Sequence, residues 1–276
     1  MRLERIHIPA QIPNGKPPLL FVHGAFSGAW IWEPWMQTLS ARGWDCHAFS
    51  FRGHGNSEVP PHPNRVRVRD YVEDLRTVLA EFKIPPILVG HSLGGLVIQR
   101  HLMERDAPAV VLVCPVGPKG TWYATFDFLR RHPLDFIKGL IHLDLYQSVN
   151  TPEKTHHRFY AGRESAEWVA AGHSLIEGES FAAYLGDMLF PRIHPRQNPQ
   201  PPMLVVCGEL DQSVAPRTVR FTAQFQQAEL LMLPNQGHIP MMVADRDTIA
   251  SQVNDWLSRQ SVPIVNSIPP VSPPSP

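Results

Sequence analysis

Pro86-Ile87-Leu88-Val89-Gly90-His91-Ser92-Leu93-Gly94-Gly95-Leu96-Val97-Ile98 is the stretch that decides the fold. A short apolar run enters a Gly-x-Ser-x-Gly turn and leaves as an apolar-periodic segment, which reads as strand, sharp turn, helix. So tight a turn strains its central residue and brings strand and helix together, so the positions two before and two after the centre must be nearly free of side chain. Gly90 and Gly94 meet that demand, and Ser92 stands at the apex with its hydroxyl projecting. Read alone, Ser92 is also compatible with an ordinary turn serine; residues far beyond the turn decide between the two.

Outward from that turn, apolar runs alternate with helical patterns. Leu3–Ile8 alternates as an edge strand, Pro17–Val22 is a buried strand, and Trp30–Ala41 has helical spacing ended by Gly43. Asp45–Phe51 is a strand, Arg69–Phe82 a helix with Tyr71, Leu75 and Val78 on one face, Leu93–Arg105 a helix and Ala109–Val113 a strand. Strands of unbroken apolar residues separated by helices predict an α/β fold with a mainly parallel, doubly wound sheet. Residues 117–200 break the rhythm with several amphipathic, aromatic-rich helical patterns. The rhythm resumes at Met203–Cys207, Ala215–Gln226, Glu229–Leu233 and Ile239–Leu257. The expected organisation is a core of 1–116 and 201–260, an inserted helical cap of 117–200 above the C-terminal ends of the strands, and a proline-rich tail of 261–276.

The remaining composition excludes more than it specifies. The 25 basic and 25 acidic residues balance, which gives no electrostatic basis for nucleic acid or an anionic membrane as partner. Cys46, Cys114 and Cys207 are widely spaced and odd in number, as expected of buried reduced thiols. The first residues alternate polar and apolar without a secretory apolar block, and no apolar run is long enough to span a bilayer, so a soluble cytoplasmic protein is expected. The tail carries no charge; it lacks the basic residue usual in ligands of proline-binding domains and is expected to be loosely packed.

A serine hydroxyl needs a general base to act as a nucleophile, and the base needs an orienting acid. Leu204–Cys207 runs off a predicted strand into Gly208-Glu209-Leu210-Asp211, and Leu231–Leu233 runs off the next into Pro234-Asn235-Gln236-Gly237-His238. Ser92, Asp211 and His238 therefore stand after different parallel strands, in the order Ser…Asp…His. Of the 14 histidines His238 alone follows a terminal strand in this way. Asp211 by itself also suits a solvated loop, and Asp245 and Asp247, after the histidine, read as solvated or capping acids. His156-His157 and His142-x-Asp144 lack a third ligand at metal spacing, so no metal is expected.

His23-Gly24-Ala25-Phe26, Arg52-Gly53-His54-Gly55-Asn56-Ser57, Gly90-His91-Ser92-Leu93-Gly94-Gly95, Gly208-Glu209-Leu210-Asp211 and Gly237-His238 together resemble the α/β-hydrolase superfamily, over residues 1–260. Lid-containing esterases and lysophospholipase-like hydrolases are the subgroup it looks like. The resemblance implies no cofactor, Ser92 as nucleophile, His238 as base, Asp211 as acid, and an oxyanion hole from the N–H groups of Ala25 and Leu93, with Phe26 a lesser candidate. His23 is expected to shape that loop, Arg52 and His54 to hold their own turn, and Phe26 and His91 to line the pocket. Dehalogenases and epoxide hydrolases of this fold carry a carboxylate where Ser92 stands, and dienelactone hydrolases a thiol. The implied activity is hydrolysis of a small-molecule carboxylic ester with an apolar acyl or aromatic portion. A cofactor-independent dioxygenase or perhydrolase, a C–C bond hydrolase, and a ligand receptor with an idle triad remain open at this point.

Overall fold

The computed structural model describes residues 1–194 and 200–260, so the proline-rich tail lies outside the described residues. The strands are β1 (Arg5–Ile8), β2 (Leu19–Val22), β3 (Cys46–Phe49), β4 (Ile87–His91), β5 (Val110–Val113), β6 (Met203–Gly208) and β7 (Glu229–Leu233). They form one seven-stranded sheet in the order β1-β3-β2-β4-β5-β6-β7. Only β1 runs antiparallel, pairing Arg5 with Phe49; every other neighbour is parallel. Every residue of β2, β4, β5 and β6 is buried, which accounts for their unbroken apolar sequences. Edge strand β1 instead alternates exposed and half-buried positions, as its polar–apolar alternation predicts.

Helices α1 (Glu33–Ser40), α2 (Val68–Leu79) and α3 (Leu93–Leu102) precede an insertion of α4 (Trp122–Arg131), α5 (Pro133–His142), α6 (Pro152–Phe159), α7 (Ala166–His173) and a π-helical turn at Ala182–Met188. Helices α8 (Pro216–Phe225) and α9 (Arg246–Arg259) complete the core. Helix α1 packs on α9 and α2 on α3, while Gln226 at the end of α8 donates to Gln99 of α3, 3.0 Å away. The sheet is thus an α/β core with a helical insert between β5 and β6.

Several helix boundaries differ from expectation: α2 and α3 stop at Leu79 and Leu102, three residues early, and α1 and α9 start late. Ala29–Trp32 forms a 3-10 turn before α1 begins at Glu33, where Pro34 sits in the first turn and needs no N–H partner. Residues 239–245 are also non-helical apart from a 3-10 turn at Pro240–Met242; Val243 is extended, and α9 starts only at Arg246. The insertion's aromatics divide. Phe159, Tyr160 and Tyr184 are buried, whereas Trp122, Tyr123, Phe126 and Phe190 stand exposed. Among the described residues, no helix is long and apolar enough to cross a membrane.

Candidate active site

Ser92 lies between β4 and α3 with φ 49° and ψ −112°, a left-handed conformation that costs a non-glycine residue about 1–3 kcal/mol. The neighbouring glycines make the turn possible. A Cβ on Gly90 would come within 2.5 Å of Ile98 and 2.9 Å of the Gly94 carbonyl, and one on Gly94 would strike the carbonyls of Val22 and His23. The Ser92 amide donates to the Val113 carbonyl at 3.0 Å, so the strained residue is held from β5.

The loops after β6 and β7 bring Asp211 and His238 to it. His238 Nε2 lies 3.0 Å from Ser92 Oγ, and His238 Nδ1 lies 2.8 Å from Asp211 Oδ2. The second oxygen of Asp211 accepts from the amides of Ser213 and Val214 at 2.7 and 2.8 Å. With Nδ1–H pointing at Asp211, the Nε2 lone pair faces the serine hydroxyl. All three side chains are buried. Asp245 and Asp247 are not part of this chain: the first accepts from Gln236 at 3.3 Å, the second from Thr38 at 2.5 Å.

The insertion clamps the same loops. The His238 amide donates to the Phe159 carbonyl at 2.8 Å, the Phe159 ring stacks 6.0 Å from the imidazole, and Ser213 Oγ donates to the Arg158 carbonyl at 3.1 Å. From the other side His91 donates Nε2–H to the His238 carbonyl at 2.9 Å. Burial, with the adjacent His238, holds the His91 imidazole far below its ordinary pKa, so it stays neutral.

Ala25 and Phe26, in the loop after β2, wall a small cavity together with Ser92, Thr121, Arg158, Phe159, Tyr184, Met188, Ser213 and His238. Neither the Ala25 nor the Leu93 N–H donates to a group among the described residues. His23 shapes this loop by donating Nδ1–H to Gly24 O (2.7 Å) and accepting the Phe51 amide at Nε2 (2.9 Å). Burial, then the nearby His54, keeps it neutral. A second, mainly apolar cavity lies beside His238, lined by Phe26, Trp30, Ile31, His91, Tyr160, Ile176 and others, so Phe26 and His91 both face cavities.

Arg52 does hold its own turn, through a double ion pair to the buried Asp74. His54 does more. It faces the buried Glu179 of the insertion at 3.4 Å, and Glu179 also accepts from Tyr71 Oη at 2.8 Å. Burial is the largest single influence and disfavours the His54 cation, yet Glu179, Glu177 and the Arg52 carbonyl together raise the pKa. Two residues earlier, the Glu177 amide donates to Phe26 O at 3.0 Å and its carboxylate accepts the Gly55 amide at 2.7 Å. Residues 177–180 are therefore a strap from the insertion to the loops below. Sequence spacing carried no signal for this strap, nor for Arg158, Phe159 and Tyr184.

Among the described residues two groups place three metal-type ligands within 4.8 Å: Cys114, Asp211 and His238, and the surface trio His7, Asp45 and His47. In the first, burial and then the Asp211 charge push the Cys114 thiol well above its usual pKa, so it is a poor thiolate ligand. In the second, both imidazoles already bond the one carboxylate, at 2.7 and 2.9 Å.

Among curated relatives, Epoxide hydrolase 2 of Siraitia grosvenorii is 32% identical over 133 residues, 47% of this chain and 39% of that protein. Pyrethroid hydrolase of Sphingobium wenxiniae is 29% identical over 136 residues, 48% of this chain and 47% of its own length. The chain thus spans less than half the length of these relatives. The solved structure of a thermophilic esterase from Thermogutta terrifontis superposes with a TM-score of 0.71 at 20% identity, covering 93% of each chain, which shows a shared fold. The family described as "Alpha/beta hydrolase family" matches residues 19–252, from β2 into α9, and the chain belongs to it.

Proposed function

We propose that the protein is a serine hydrolase that cleaves a carboxylic ester through an acyl-enzyme on Ser92. The observation that carries this reading is the continuous Ser92–His238–Asp211 hydrogen-bond chain, at 3.0 and 2.8 Å, ending on a nucleophile in a strained turn. In this reading His238 Nε2 takes the Ser92 proton as Oγ attacks the ester carbonyl, then returns it to the leaving alcohol. Asp211 fixes the tautomer and stabilises the imidazolium. The Ala25 and Leu93 amides receive the oxyanion; loss of one such donor typically slows turnover about 100- to 1000-fold. Water then attacks the acyl-enzyme by the same proton route. The relative named for pyrethroid hydrolysis supports an ester, and the apolar cavities beside His238 support an apolar portion on it.

The test is 4-nitrophenyl ester hydrolysis by the wild type and Ser92→Ala, with a fluorophosphonate probe mapped by mass spectrometry. Turnover lost by at least about a thousandfold, with the adduct on Ser92, is the expected outcome. Ester turnover retained in Ser92→Ala, or oxygen consumption that survives it, overturns the reading.

A further inference from the structure

Arg158, in the last turn of α6, is a feature of the Ser92 cavity that an apolar ester leaves without a role. Its guanidinium carbon lies 6.0 Å from the centre of the Phe26 ring, and Nη2 donates to Tyr184 Oη at 2.8 Å. Phe26 and Tyr184 both wall the cavity that holds Ser92. The Nε–H is enclosed and has no acceptor among the described residues. No carboxylate lies within ion-pair distance of Arg158 among the described residues, which include every Asp and Glu of the chain.

The protein's other sheltered arginines are treated differently. Arg52 meets Asp74 at 2.6 Å, Arg67 meets Asp187 at 2.7 Å, and Arg100 lies 3.6 Å from the same Asp187. Arg76 Nε is likewise enclosed without an acceptor, but Arg76 meets Glu104 at 2.6 Å, so what sets Arg158 apart is a sheltered guanidinium with no carboxylate partner, an arrangement that costs free energy unless a ligand satisfies it. Main-chain hydrogen bonding to Ser213 fixes Arg158 beside the Asp211 loop, so its place relative to the catalytic chain is set by the fold.

We propose that Arg158 is a specificity-determining residue that binds a free carboxylate on the substrate, so that the ester cleaved at Ser92 is a half-ester of a dicarboxylic acid. The inference rests on the ester reading of Ser92 and names its substrate class. A planar guanidinium with unused donors suits a planar carboxylate, which carries the single charge that one cation offsets. The substrate then spans from Ser92 to the Phe26–Arg158–Tyr184 wall, with its methylenes against Phe26 and Met188.

Matched substrates test it: mono-4-nitrophenyl adipate against 4-nitrophenyl hexanoate, read as a ratio of kcat/KM. Wild type is expected to favour the half-ester. Arg158→Met should lower the adipate-to-hexanoate ratio about 10- to 150-fold, the worth of a charge-assisted hydrogen bond, chiefly through KM. Arg158→Lys, which keeps the charge and loses the planar fork, should recover part of the ratio. A wild-type preference for hexanoate, or an unchanged ratio in Arg158→Met, overturns the proposal. Calorimetric titration with adipate reads the subsite without turnover: binding lost in Arg158→Met supports it, and equal binding in both proteins overturns it. If neither ester is hydrolysed while adipate binding still depends on Arg158, the ester reading falls and the anion site stands.

Discussion

The carboxylate of Asp211 does two separable jobs. Oδ2 meets the imidazole while Oδ1 holds the amides of Ser213 and Val214. Asp211→Asn can keep the second job through its carbonyl oxygen, but its amide then turns an N–H toward Nδ1. The imidazole is driven to the wrong tautomer, with a proton on the nitrogen that must accept one. We expect kcat for a 4-nitrophenyl ester to fall by about 10⁴ while the circular dichroism spectrum is kept. A fall below tenfold would remove Asp211 from the reaction. This pair was legible from residue order alone, because topology forces the loops after β6 and β7 to the same end of the sheet. Arg158 was not: nothing in Pro152–Phe159 distinguishes a cation aimed into a cavity from one in solvent, and Lys154 in the same helix is paired with Asp135 at 2.9 Å.

At the scale of elements, the sheet was readable because each buried strand advertises itself in an unbroken apolar run. The insertion was not, because its contacts join residues far apart in the chain. Arg67 meets Asp187 of the π-helical turn, and His54 meets Glu179 of the strap, across more than a hundred residues of chain. Periodicity showed that helices exist there and was silent on which faces meet the core; in α4, Trp122, Tyr123 and Phe126 stand exposed while Phe128 is half-buried. The strap carries its own test. Glu179→Ala leaves the Tyr71 hydroxyl and the Ser180 amide without their acceptor and His54 without its counter-charge. Breaking a buried pair in this way costs about 3–5 kcal/mol, to be read as a lowered urea midpoint. A loss under about 1 kcal/mol would mean that the strap is held by its other bonds, such as Ser180 Oγ to Val66 O.

For the whole molecule, the buried histidines set the response to pH. Burial holds His23 and His91 well below their ordinary pKa, and burial with the charges of Arg76 and Arg105 lowers His101 to about 4. Below about pH 6.5 the unfolded chain takes protons that the folded one refuses, so stability falls with acid by about 1.4 kcal/mol per pH unit for each such group. His54 has the opposite sign. Its raised pKa contributes stability that is full below about pH 6.5 and is lost as pH climbs through the folded value. Melting temperature should therefore fall steeply from pH 6.5 toward 4, and the His101→Gln variant should show a shallower acid arm in differential scanning fluorimetry. An acid arm of equal slope in that variant would exclude His101 from it.

The bonds from His238 N–H to Phe159 O and from Ser213 Oγ to Arg158 O have a mechanical meaning as well. They make the roof of the cavity and the proposed proton relay a single frame. Moving the roof while both bonds hold would draw the imidazole out of line with Ser92, so the alignment of the proposed relay depends on where the insertion sits.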